Sequence, residues 1–211
     1  MRGFLKKVFM HRATDRQQLA KDWAFVLNAF GISLLILALI VTFAPYADVN
    51  NPRIEEIRAV ERSLVTVVPD KVPQMLVEKA QEYDRPVMLV LYASWCGYCA
   101  KLMPMLLDMV KAGELDAVKP VFLSMDSQPR MFSKYLVKTQ YYQYFPPVML
   151  REVLYNNLPA ALAATGSSFE GAIPYIGFFD KRGKMIAERA GMMDKQTLLG
   201  VARTAMAAAK P

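Results

Sequence analysis

Histidine and cysteine are scarce in this chain of 211 residues, which has one histidine, His11, and two cysteines, Cys96 and Cys99. A structural zinc site needs about four nitrogen or sulfur ligands. Because His11 is separated from the cysteines by a long apolar run, a zinc site within one chain is not expected, and neither is any other metal or cofactor. Two interpretations of the cysteine pair remain, a structural disulfide and a redox-active pair.

Long basic runs are also missing, although the formal net charge is +7. Residues 1–23 carry six lysines or arginines and two aspartates, so this tail supplies +4, and the remaining +3 is spread among mixed charges. Nucleic-acid binding needs a basic patch or stripe. The sequence therefore predicts no nucleic-acid partner.

One uncharged run of 21 residues, AFVLNAFGISLLILALIVTFA, covers positions 24–44. As a helix it would span about 30 Å, the thickness of a bilayer's hydrocarbon core. A cleaved signal peptide is the alternative, but it has a shorter apolar region, and a proline stands at or beside each candidate cleavage site. The basic tail predicts that the amino terminus is cytoplasmic. We therefore expect a single-pass anchor in a bacterial inner membrane, with the rest of the chain in the periplasm.

Residues 45–69 are predicted to form a stalk or linker. Its stretch PRIEEIRAVERSL, 52–64, has apolar residues at near-helical spacing, and homodimer formation through this helix is a further prediction.

Residues 70–211 are predicted to form one α/β domain. The pattern runs from a helix capped by Asp70, through the apolar strand VMLVLY (87–92) and the cysteines, to a second strand at 120–125. Two strands separated by a helix predict parallel pairing with a right-handed crossover. The stretch 173–191 predicts an antiparallel hairpin around DKRG, and Asp194 is expected to cap the last helix.

The cysteines lie in YASWCGYCAKLMP, residues 92–104, where the first strand gives way to a helix. A disulfide across two residues closes a very small loop, so its value as a structural crosslink is small. A sulfur at a helix N-terminus is instead stabilised as thiolate, which favours redox chemistry. Cys96 is therefore predicted to attack a partner disulfide, and Cys99 to resolve the mixed disulfide.

The motif WCGYC, a proline five residues after the second cysteine, and IP opening the hairpin before a final helix together resemble the thioredoxin superfamily. The resemblance implies a thioredoxin-like fold, with a mixed central sheet flanked by helices, and a cis peptide bond before Pro174, which faces Cys96. It also implies a substrate-binding set around the nucleophile, namely Trp95, Gly97, Tyr98, Ile173 and Pro174.

Two positions depart from the family pattern. Thioredoxins carry a buried aspartate six residues before the first cysteine, where this chain has Val90, and a lysine on the next strand, where it has Phe122. Cys99 therefore lacks its usual proton acceptor, and slow resolution of mixed disulfides is expected.

The segment 138–170 is about 30 residues longer than the link expected in a plain thioredoxin. It is predicted to be a helical insertion before the cis-proline. Its aromatic residues suit either packing on the core or an exposed groove that selects substrates.

The expected function is that of a membrane-anchored, extracytoplasmic thiol–disulfide oxidoreductase that reduces or isomerises disulfides of envelope proteins. Such an enzyme needs a redox partner in the membrane or the periplasm. The alternative is an interaction module of an envelope assembly, such as a secretion or cytochrome-maturation apparatus, in which the redox pair is secondary.

Overall fold

The structure, a computed structural model, describes residues 30–39, 53–150 and 157–208. Contacts divide the chain into two units, and the second begins at Glu55. In the first unit, residues 30–39 form a helix, α1, with exposed apolar side chains. Within the described ranges, no helix combines the length and the apolar content that crossing a bilayer requires. The basic tail 1–23 and the rest of the predicted anchor 24–44 lie outside the described residues.

From residue 54 onward, helices and strands alternate. The helices are α2 (Ile54–Ser63), α3 (Val72–Tyr83), α4 (Gly97–Lys111), α5 (Pro129–Thr139), α6 (Leu158–Ala163) and α7 (Lys195–Ala208). The strands are β1 (Val65–Val67), β2 (Val87–Tyr92), β3 (Lys119–Ser124), β4 (Val148–Leu150), β5 (Tyr175–Phe179) and β6 (Met185–Ala190).

The strands form one mixed sheet in the order β1-β4-β3-β2-β5-β6. The pairs β1–β4, β4–β3 and β3–β2 are parallel, whereas β2–β5 and β5–β6 are antiparallel. The predicted parallel pairing across the active-site helix and the predicted hairpin are both confirmed. All six residues of β2 are buried, because this strand is central and both faces of the sheet are covered.

Alternate residues of β2 face two separate cores. Met88, Val90 and Tyr92 belong to a cluster with the buried sides of α2, α4, α5 and α7. Val87, Leu89 and Leu91 belong to a cluster with α3 and α6 on the opposite face. The first cluster also contains both cysteines, so the Cys-x-x-Cys motif packs on the face of the sheet that carries the larger core.

The two predicted helix caps have different outcomes. Asp194 caps α7, because its Oδ1 accepts a 2.7 Å hydrogen bond from the Thr197 N–H. The cap predicted at Asp70 is wrong. Asp70 lies inside a 3-10 turn, Pro69–Lys71, and α3 begins after Lys71 without a side-chain cap.

The described part of the predicted stalk packs within the domain. Ile57 and Val60 of α2 are buried in the first core, and the Tyr142 hydroxyl donates a hydrogen bond to Glu56. The apolar stripe read from the sequence therefore faces the domain's own core. An amphipathic stripe fits a core or a second helix equally well, so the pattern alone could not decide between them.

The predicted insertion, residues 138–170, contains a strand as well as a helix. Val148 of β4 pairs with Val65 of β1 and also with Leu123 of β3, so β4 lies between these two strands. Tyr141 and Phe145 are buried in the first core, whereas Tyr144 is exposed. The prediction of a helical insertion missed this strand because three apolar residues are too short to show a period. Residues 151–156 lie outside the described residues.

Candidate active site at the Cys96–Cys99 disulfide

Cys96 is the N-cap of α4. Its backbone is extended, with φ −83° and ψ 107°, and its Sγ accepts a 3.1 Å hydrogen bond from the Cys99 N–H. The first N–H groups of a helix have no partner within the helix, so a side chain at this position satisfies one of them. The sulfur of Cys96 therefore lies where the helix dipole favours negative charge.

Cys96 and Cys99 are joined as a disulfide, with their Cα atoms 5.2 Å apart. Cys96 is 7% exposed, whereas Cys99 is completely buried. An external thiol or disulfide can therefore approach the Cys96 sulfur but not that of Cys99. Access decides which sulfur reacts first in thiol–disulfide exchange, and here it favours Cys96.

The loop before β5 lies against the reactive sulfur. The Ile173–Pro174 peptide bond is cis, as the family resemblance implies. The Ile173 carbonyl oxygen lies 3.9 Å from Cys96 Sγ. Pro174, the next residue, is buried. This arrangement brings the Ile173–Pro174 pair to Cys96, which lies 77 residues before Ile173 in the chain.

The remaining predicted residues form an exposed rim. Trp95 is 68% exposed and Tyr98 is 63% exposed, although both are large and apolar. Gly97 between them has open space where a side chain would stand. Exposed aromatic side chains beside a reactive group are typical of a surface that binds another protein.

Met192 is an exposed residue that follows a loop contact to the cis-proline, and the sequence did not reveal it. The Gly191 N–H donates a 2.8 Å hydrogen bond to the Pro174 carbonyl oxygen, which brings the loop after β6 to the cis-proline. The next residue, Met192, is 47% exposed. Only the pairing of β5 with β6 places it there, and a methionine after a glycine carries no sequence signal of its own.

Asp126 is a second feature that the sequence did not reveal. This buried carboxylate accepts hydrogen bonds from the Ser94 N–H at 2.9 Å, the Ser94 hydroxyl at 2.5 Å and the Ser124 hydroxyl at 2.6 Å. It thereby ties the end of β3 to the turn that precedes Cys96. An aspartate after a predicted strand is the only signal that could have indicated it.

Apolar residues occupy the two positions where thioredoxins carry charges. Val90 and Phe122 are register partners on β2 and β3, and both are buried in the core that contains Cys99. The Phe145 ring from the insertion stacks on Phe122, with 4.2 Å between ring centroids and 22° between planes. The insertion thus covers the region where a proton acceptor for Cys99 would be expected.

No second site of comparable chemistry is evident in the described ranges. A groove of about 700 Å³ between β1, α3 and the start of β3 is lined by residues such as Val67, Met75 and Val121, and it does not include either cysteine. In the same ranges, no three histidine, cysteine, aspartate or glutamate side chains are grouped so that they could bind a metal ion.

Comparison with known proteins finds matches over part of the chain. Residues 84–160 match the family model described as thioredoxin-like. Curated relatives include the thioredoxins of Rickettsia prowazekii and Rickettsia typhi, each 33% identical over 69 residues. Each match covers 33% of this chain and 60% of the thioredoxin, so the chain spans less than two thirds of these relatives.

Solved structures with a similar fold include the N-terminal domain of PilB from Neisseria gonorrhoeae, at 16% identity and a TM-score of 0.48, covering 63% of this chain and 91% of that one. Another is a thiol:disulfide interchange protein of the thioredoxin family from Chlorobium tepidum, at 19% identity and a TM-score of 0.47, covering 60% and 84%. The mixed sheet, the Cys-x-x-Cys pair at the start of α4, the cis-proline before β5 and the family-model match over residues 84–160 together show a thioredoxin-like fold.

Proposed function

We propose that the protein is a membrane-anchored thiol–disulfide oxidoreductase that reduces or isomerises disulfides of envelope proteins outside the cytoplasm. One observation supports the chemistry most strongly. The accessible sulfur, Cys96, caps α4 and accepts the Cys99 N–H, while its partner sulfur is completely buried. This asymmetry assigns a separate role to each cysteine.

In the proposed reaction, the Cys96 thiolate attacks one sulfur of a substrate disulfide. The substrate S–S bond breaks, its other sulfur leaves as a thiolate that takes up a proton, and a mixed disulfide joins Cys96 to the substrate. The Cys99 thiol then loses its proton and attacks Cys96 Sγ, which releases the second substrate sulfur as a thiol. The substrate gains two electrons and two protons, and the enzyme is left with the Cys96–Cys99 disulfide found in the structure.

Turnover in the reducing direction then requires a dithiol donor that reduces this disulfide. We propose that the donor is a membrane or periplasmic redox protein. In isomerisation the mixed disulfide is instead attacked by another thiol of the same substrate, and the enzyme leaves in its reduced form without net electron transfer.

Substrate would bind across the rim around Cys96. An extended segment of the substrate would lie beside Ile173 and Pro174, and its side chains would contact the exposed Trp95 and Tyr98, with Gly97 leaving room between them. Apolar contacts of this kind contribute affinity without demanding one substrate sequence.

The proposed anchor and orientation rest on the sequence. The run 24–44 has the length and the absence of charge that a bilayer requires, and the basic tail 1–23 precedes it. The test is to label Cys96 in intact cells with a membrane-impermeant maleimide after mild reduction. Labelling without lysis, together with recovery of the protein in the membrane fraction, is expected; labelling only after lysis would contradict the orientation.

Direction can be tested with two substrates. Reduction of insulin by dithiothreitol is measured with and without the protein, and reactivation of ribonuclease carrying scrambled disulfides is measured in a glutathione buffer. A reductase accelerates mainly the first reaction and an isomerase mainly the second. If neither rate differs from that of Cys96→Ser, the proposed activity is wrong, and an interaction module becomes the better description.

A further inference from the structure

The loop of residues 169–174 lies against the sulfur of Cys96. It joins the insertion to β5 and includes Ile173, whose carbonyl oxygen lies 3.9 Å from Cys96 Sγ. Its middle is exposed at Gly171 and Ala172. We call residues 169–174 the Ile173 loop. Its position must be fixed at its two ends if Ile173 is to meet a substrate in one geometry.

One carboxylate binds the residues at both ends of this loop. Glu188 Oε1 accepts hydrogen bonds from the N–H of Ser168 at 2.7 Å and from its hydroxyl at 2.5 Å. Glu188 Oε2 accepts hydrogen bonds from the Ser167 hydroxyl and the Tyr175 hydroxyl, both at 2.6 Å. A carboxylate has about four acceptor positions, and all of them are used here. The residues before and after the Ile173 loop are therefore held by the same side chain of β6.

The Tyr175 hydroxyl occupies space that a side chain at Gly177 would fill. A side chain at Gly177 would place its Cβ 2.7 Å from the Tyr175 hydroxyl oxygen, so the tyrosine can lean along its own strand only because this position is glycine. Glu188 is the register partner of Gly177 on β6. The Phe169 ring packs edge-on against Tyr175, with 4.8 Å between ring centroids, which attaches the start of the loop to the same tyrosine.

The protonation states of Glu188 and Tyr175 favour the hydrogen bonds between them. Burial raises the pKa of the Glu188 carboxyl, but the hydrogen bonds from Ser167, Ser168 and Tyr175 together outweigh burial and lower the pKa to about 2. Burial and the bond to Glu188 raise the pKa of the Tyr175 hydroxyl above its ordinary value. At neutral pH an ionised acceptor therefore meets neutral donors, and charge-assisted hydrogen bonds are the stronger kind.

We propose that Glu188 is a positioning residue for substrate binding, because it fixes both ends of the Ile173 loop against β6. It touches neither substrate nor sulfur and acts through Ser168 and Tyr175. The part of this inference that concerns substrate rests on the proposed function; the part that concerns the loop does not.

The variant Glu188→Gln tests the loop directly. Its side chain has nearly the same size, but its amide brings two donors and cannot accept four hydrogen bonds. We expect amide hydrogen exchange of residues 168–173 to become about ten times faster than in the unsubstituted protein. The matched control is Glu82→Gln, an exposed glutamate of α3 that pairs with Lys79. Equal exchange of these amides in the two variants would overturn the proposal.

Kinetics of the two variants test the role in binding. For insulin, Glu188→Gln should raise KM roughly tenfold with a nearly unchanged kcat, because the reactive sulfur is intact and only the binding loop is displaced. For hydroxyethyl disulfide, which is too small to use the loop, the rate should equal that of Glu82→Gln. Faster exchange with an unchanged KM for insulin would also overturn the proposal. If the unsubstituted protein does not act on insulin, the proposed function fails, and hydrogen exchange still decides whether Glu188 holds the loop.

Discussion

The backbone N–H of Cys99 donates a 3.1 Å hydrogen bond to the sulfur of Cys96, the residue that caps the same helix. This contact supports the proposed order, in which Cys96 attacks first and Cys99 resolves the mixed disulfide. A group that can accept this N–H at the positive end of a helix dipole is stabilised more as a thiolate than as a thiol. Cys99 does not occupy the capping position and is completely buried, and burial in apolar surroundings disfavours a thiolate.

The first prediction concerns the acidity of Cys96. In Cys99→Ser, which has a single thiol, the Cys96 pKa should lie clearly below the ordinary value of about 8.5, because the capping position favours the thiolate. The pH dependence of alkylation by iodoacetamide measures it. The same titration of Cys96→Ser, which reports on Cys99, is the control. A Cys96 pKa at or above 8.5 would remove the basis for calling it the nucleophile.

A second prediction concerns the missing proton acceptor. Val90→Asp should increase the rate of the step in which Cys99 attacks the mixed disulfide by several-fold, since it restores a carboxylate in the core that holds Cys99. It should also lower the free energy of unfolding by about 1 to 3 kcal/mol, because a buried polar group replaces an apolar one. Stopped-flow fluorescence of Trp95 follows the step. Val90→Asn is the matched control, and an equal rate increase in both variants would argue against proton transfer.

The two most buried tyrosines of the sheet give a third prediction. Within the described part of the chain, the Tyr92 hydroxyl has no hydrogen-bond partner, whereas the Tyr175 hydroxyl donates a hydrogen bond to Glu188. Tyr92→Phe should therefore raise the free energy of unfolding by up to about 1 kcal/mol, and Tyr175→Phe should lower it by about 1 to 2 kcal/mol. Urea unfolding at neutral pH measures both. Destabilisation of similar size in the two variants would show that Tyr92 has a partner.

The fourth prediction concerns acid. The folded-state pKa of Glu188 is lowered from the ordinary 4.5 to about 2, so its contribution to stability is fully present above about pH 5 and is lost as the pH falls towards 2. The unsubstituted protein should exceed Glu188→Gln in stability by about 1 to 3 kcal/mol at neutral pH. This difference should shrink steadily below pH 5. A difference that stays constant down to pH 2.5, in urea melts at each pH, would mean that Glu188 is not held as a carboxylate.

Local signals in the sequence predicted most of the sheet and the motif. The apolar run of β2, the cysteines that follow it and the turn between β5 and β6 are each contained in a short stretch. The parallel pairing of β2 with β3 then follows from the helix between them. These features depend on neighbouring residues, so no tertiary information was needed to find them.

Features that depend on distant residues were not predictable in the same way. β4 has only three residues and gains its place by pairing with β1 and β3. Glu188 reads as an ordinary polar residue of a hairpin, and its role appears only when the fold brings Ser167 and Ser168 to it. Asp126 likewise gains its hydrogen bonds only because the fold brings Ser94, which follows β2, close to it.

The most direct test of the central claim is capture of a mixed disulfide. Cys99→Ser and Cys96→Ser are each reduced, mixed with a disulfide-containing protein substrate and separated on a non-reducing gel. We predict that Cys99→Ser accumulates a covalent adduct through Cys96 and that Cys96→Ser forms none. A reducing agent should cleave the adduct. An adduct with Cys96→Ser alone, or with neither variant, would contradict the assignment of Cys96 as the attacking nucleophile.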